Sequence, residues 1–127
     1  MAYDQAKYYV LTFGVAGAPV NNQYVLPGFT AISATEARLT IPLACRLSDI
    51  SVFCRVAPGG AIVDTFTVLV NGVASVAAAT VTGAAVDGTW TGAVAIAADD
   101  DVSILFTTDG ATAAQDPVVT LRFLKFV

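Results

Sequence analysis

Asn71-Gly72 stands between two runs of alternating apolar residues, and few dipeptides constrain a fold so tightly. A two-residue type I′ hairpin loop needs positive φ at both central positions, which Asn and Gly adopt at little cost. Before the turn, residues 62–70 place Phe66, Val68 and Val70 on one face and Thr65 and Thr67 on the other. The return strand is expected over 73–81. This two-residue period belongs to half-buried strands.

The rest of the chain carries the same pattern. Thr, Val, Ile and Phe recur, with Gly, Pro, Asn and Asp at short intervals between them. Strands are expected over 8–14, 30–34, 37–43, 47–56, 89–97, 102–107 and 118–126. Pro42 assigns 37–43 to a sheet edge or a strand end. In 47–56, Ile50, Val52 and Cys54 face one way and Ser51, Phe53 and Arg55 the other. In the last strand Val119, Leu121 and Phe123 alternate with Thr120, Arg122 and Leu124. Turns are expected at Pro58-Gly59-Gly60, at Asp99-Asp100-Asp101, and in the small-residue loop 109–116. The Ala-rich stretches 77–79 and 93–98 favour helix by propensity, but interleaved Val, Thr and Gly oppose it. The expected fold is an all-β antiparallel sandwich of about eight strands, jelly-roll-like. Residues 15–29 hold Gly17, Pro19, Asn21, Asn22, Pro27 and Gly28, the composition of a loop or extended arm. The expected division is therefore a strand plus arm over 1–29 and a sandwich over 30–127.

A chain of 127 residues can bury one core without disulfides or metals. Its outside is the difficulty. Hydrophobic residues make up 56% and charged residues 13%, against about 25% charged in an average soluble domain. A compact monomer of 13.0 kDa exposes roughly 6,300 Å². Six Lys plus Arg and ten Asp plus Glu then leave about one charge per 400 Å², sparse for a free-standing surface. No apolar run reaches the roughly 18 residues that cross a bilayer, so the excess points to burial against other protein chains. The net charge of −4 and scattered cations disfavour nucleic acid, which is held by clustered Lys and Arg. The first residues lack a basic segment followed by an apolar one, so they do not read as a secretory signal. The chain reads as a complete small product made in a cytoplasm.

Catalytic chemistry has little to build on. Histidine is absent, which removes the common Ser-His and Cys-His nucleophile pairs. Glu36 and nine Asp are the carboxylates. Asp64 has two readings: a solvent-facing strand residue, or a buried carboxylate beside Phe66 with a raised pKa. Asp99-Asp100-Asp101 lacks the alternating acids of a calcium loop. It reads as a turn that caps local amides, with a cation site as the alternative. Cys45 and Cys54 match no zinc spacing; they are two small apolar thiols, or a bridge if both flank one turn. No cofactor is expected, and the chain is not expected to be an enzyme. Trp90 reads as a core or interface anchor. Tyr3, Tyr8, Tyr9 and Tyr24 cluster early in the chain, either as packing or as anchors for a neighbour.

Three stretches carry a resemblance: Cys45-Arg46-Leu47-Ser48-Asp49-Ile50-Ser51-Val52, the hairpin Thr65 to Val73 with its Asn-Gly turn, and Ala93 to Ile104. In this order they resemble the compact jelly-roll modules of bacteriophage virion proteins. They are more distantly similar to tumour-necrosis-factor-like trimer heads. Asp99-Asp100 stands where Gly-Asp is commoner in such modules. The resemblance covers residues 38–126 and implies a homotrimer located in a virion. With only about thirty residues before the sandwich, the chain looks most like a capsid decoration, or cement, protein on the outer capsid surface. Its partners are then its own copies and the major capsid protein. A receptor- or glycan-binding module of a tail or fibre is the alternative. The residues expected at interfaces are Tyr8, Tyr9, Tyr24, Phe29, Trp90, Arg122 and Leu124.

Overall fold

Ten strands and no helix make up the described residues: β1 (Tyr8–Val15), β2 (Gln23–Val25), β3 (Gly28–Thr30), β4 (Leu39–Ile41), β5 (Cys45–Phe53), β6 (Val63–Val70), β7 (Val73–Thr82), β8 (Asp87–Ile96), β9 (Asp100–Thr108) and β10 (Val118–Lys125). The structure is a computed structural model. It describes residues 8–30, 32–111 and 113–125, with Phe29 and Thr30 described as backbone only.

Two sheets face each other. The first has the order β3-β1-β10-β5-β8, and the second β2-β9-β6-β7. β4 continues the β2 edge along β9, because β2 pairs with Phe106 to Ile104 and β4 with Val102 to Asp100. The pairing is nested: β1 with β10, β2 and β4 with β9, β5 with β8, and β6 with β7. A long hairpin folded over on itself gives this order, which is the jelly roll. Every pairing is antiparallel except β1 with β3, which is parallel over Phe13–Val15 and Gly28–Thr30.

Alternation supplies the core between the sheets. Phe13, Leu47, Ile50, Val52, Leu121 and Phe123 meet Phe66, Val68, Ile104 and Phe106, all at most 2% exposed. Phe66 and Phe106 pack tilted at 5.2 Å, a favoured aromatic geometry. The hairpin forms as its dipeptide requires, with φ of 52° at Asn71 and 80° at Gly72. Bulges break the register at Leu47/Asp49 and Arg122/Phe123. Ser48 lies where these shifts meet, and its hydroxyl donates to the Arg122 carbonyl at 3.1 Å. The accessible surface is 6414 Å², close to the roughly 6,300 Å² of a compact monomer.

The described residues ahead of residue 30 contribute strands to both sheets. β1 lies inside the first sheet, pairs with β10 from Tyr8 to Gly14 and buries Phe13 and Val15 in the core. The loop-like composition of 15–29 still yields β2 and β3, because β9 and the end of β1 offer open edges there. Among the described residues of 30–34 none beyond Thr30 lies in a strand; Ser33 only bridges Tyr24. β4 stops at Ile41, directly before Pro42.

Candidate interaction surface

The outer face of the first sheet brings together residues from distant parts of the sequence. Register sets them in rows across β1, β10, β5 and β8: Tyr8-Leu124-Arg46-Ala95, Val10-Arg122-Asp49-Thr91, Thr12-Thr120-Ser51-Thr89 and Gly14-Val118-Phe53-Asp87. Tyr8 is 53% exposed, Val10 53% and Phe53 61%, so the face presents large apolar groups at both ends. Its centre is polar. Arg122 pairs with Asp49 at 3.5 Å and lies over the Tyr8 ring at 5.6 Å. Such a cation over an aromatic face holds the ring in place.

Of the residues expected at an interface, Tyr8, Arg122 and Leu124 share this face. Tyr9 does not. It points inward, stacks on Phe123 at 5.0 Å and places its hydroxyl 3.1 Å from the Cys45 sulfur. Burial first, then that contact, raises its phenol above the ordinary range. Trp90 is partly buried, packed against the core with its ring beside Gly92. Tyr24 lies apart, in β2 beside Leu105 on the second sheet. Phe29 belongs to β3; its side chain, like all of Tyr3, lies outside the described residues. Val10 and Phe53 were not singled out, although their alternation with Leu11 and Val52 is plain in the sequence.

A second feature lies where β1 and β4 form the margin of the sandwich. A cleft of about 360 Å³ is lined by Tyr9, Leu11, Leu39, Ile41, Pro42 and Leu43, with Lys125 beside them. Leu43 is 60% exposed. At the opposite margin β7 and β8 close together. A Cβ at Gly88 would lie 1.8 Å from the Thr80 carbonyl oxygen, so only glycine permits that approach.

The carboxylates serve the fold. Asp64 is fully buried, which overturns the solvent-facing reading. One of its oxygens accepts from the Ala114 amide at 2.7 Å; the other has no hydrogen-bond partner among the described residues. Burial, and then the Asp64 charge, push the Cys54 thiol up to about 11. In the acidic run, Asp100 accepts from the Asn71 side chain at 2.9 Å and from the Ala97 amide at 2.8 Å. These bonds, that of Asn71 first, lower its pKa. Thr40 donates to Asp101 at 2.8 Å. Asp100 thus caps the turn before β9, but only Asp99 lies in that turn: Asp100 and Asp101, expected there, begin the strand. Glu36 accepts from buried Ser103 and pairs with Arg38 at 3.0 Å. The Ser103 bond is the main cause that lowers its pKa. No group of three or more Cys, Asp or Glu side chains among the described residues is arranged to hold a metal ion. Cys45 and Cys54 are both free and buried. They stand at opposite ends of β5, roughly 30 Å apart at about 3.3 Å per residue. A bridge needs Cα atoms within about 7 Å.

The chain matches no protein-family model and no curated protein.

Proposed function

We infer that this chain is a structural virion protein, a homotrimeric capsid decoration protein that steadies a phage head through non-catalytic contacts with the major capsid protein. One observation carries the reading: the outer face of the first sheet leaves Tyr8, Val10 and Phe53 more than half exposed. The jelly-roll order of strands is consistent with the resemblance to virion modules. Each contact gains about 25 cal/mol per Å² of apolar surface covered, and three-fold symmetry multiplies weak contacts by avidity.

The test is copy number in purified particles, joined to solution mass by light scattering. Hundreds of copies per particle and a trimer in solution are expected. A handful of copies, with binding to host-cell glycans by the isolated protein, overturns the decoration reading in favour of a tail component. Absence from particles overturns the virion reading altogether.

A further inference from the structure

Among the described residues the margins of the two sheets are guarded, with one exception. Exposed strand edges carry unpaired N–H and C=O groups, and proteins protect them with short strands, proline, charge, bulges or cover. β2, β3 and β4 have three residues each; Pro27 precedes β3 and Pro42 follows β4. β7 and β8 carry bulges and close on one another. The first half of β1 has none of these protections. Tyr8-Tyr9-Val10-Leu11-Thr12 contains no proline, no glycine and no charge.

The direction of its backbone groups follows from two bonds. The Val15 amide donates to Pro117, on the β10 side, at 3.1 Å, and the Gly14 amide donates to Leu26, on the other side, at 3.2 Å. Alternation along a strand then aims Tyr9, Leu11 and Phe13 at β10, and Tyr8, Val10 and Thr12 away from it. The β3 register begins only at Phe13. The outward groups of Tyr8 and Val10 therefore have no strand partner among the described residues.

We propose that the β1 edge is a two-fold contact between two copies of this chain, paired antiparallel about Val10. The Val10 amide of each copy donates to the Val10 carbonyl of the other, and each Thr12 amide donates to the second copy's Tyr8 carbonyl. An isologous contact of this kind requires a surface that matches itself, and a strand edge centred on one residue does so. The apolar cleft beside β1, with Leu39 and Leu43, is covered in the same step. One short strand pair is small beside the roughly 1,000 Å² of a stable interface, so the contact is expected to be micromolar or weaker. It does not rest on the virion assignment. It is separate from a three-fold contact and, in its presence, joins two trimers.

Charge swapping at Val10 tests it, because residue 10 faces residue 10 only in this arrangement. The side chain is half-exposed, so Val10→Lys and Val10→Glu leave the fold intact, as circular dichroism would verify. Sedimentation from micromolar to millimolar protein should show the native chain pairing. Each variant alone should pair at least about tenfold more weakly, since like charges then stand directly opposite. An equimolar mixture of the two should restore pairing. Amide exchange read by NMR adds an independent signature: Val10 and Thr12 gain protection with concentration, while Tyr9, Leu11 and Phe13 are protected throughout. A chain that stays monomeric, a mixture that does not restore pairing, or a trimer whose Val10 amide stays unprotected overturns the proposal.

Discussion

The two ends of β5 each hold a buried cysteine, and they differ in everything around it. Cys54 lies at the closed margin, where its amide donates to Val86 at 2.7 Å, Asp64 charges its surroundings and Gly88 lets β8 touch β7. Cys45 lies at the open margin, where Tyr9 reaches its sulfur and an apolar cleft opens beside β1. The closed margin buries polar groups under tight backbone contact. The open one leaves apolar groups and strand edge uncovered.

The sharpest way to break this contrast is Gly88→Val. With 1.8 Å between its Cβ and the Thr80 oxygen, β7 and β8 must separate, at an expected cost of about 3 kcal/mol in urea unfolding. An unchanged midpoint would show that the margin is not closed. Next is Asp64→Ala, which strands the buried Ala114 amide and should cost about 2 kcal/mol. Asp64→Asn, which keeps an acceptor, should cost less, and equal losses would discount the hydrogen bond.

Alkaline pH acts on the same margin more gently. A thiol raised to about 11 in the folded state keeps its proton while the unfolded thiol ionises near 9. Stability is therefore complete below about pH 9 and falls as pH rises toward 11, by about 1 kcal/mol at pH 10. Cys54→Ala should remove the loss between about pH 9 and 10, leaving the loss above about pH 10 that the raised Tyr9 phenol contributes; an unchanged loss below about pH 10 would come from another group. Phe53→Ser is the smallest change in stability, within about 0.5 kcal/mol, because the ring is 61% exposed. On the decoration reading it should nevertheless weaken attachment to capsids through the outer face. A variant that attaches as the native chain does removes Phe53 from the contact.

Much of the strand plan was legible because alternation is local. The faces of residues 50–55 and 118–124 and the Asn71-Gly72 turn follow from side-chain period and φ preference alone. Other features were not legible. Tyr8 and Tyr9 look alike in the sequence, yet one is exposed and the other stacks on Phe123. Which face of β1 turns inward depends on its pairing with β10, more than a hundred residues away. Asp64 resembled a surface acid because its partner, Ala114, lies 50 residues on.

By itself the sequence determined that this chain is a sandwich of short strands with more apolar surface than its charges can cover, since periodicity, turn chemistry and composition are properties of neighbouring residues. Only the tertiary structure decided which margin closes and which stays open. That depends on how closely β7 and β8 approach and where β3 stops covering β1, distances set by residues far apart in the chain.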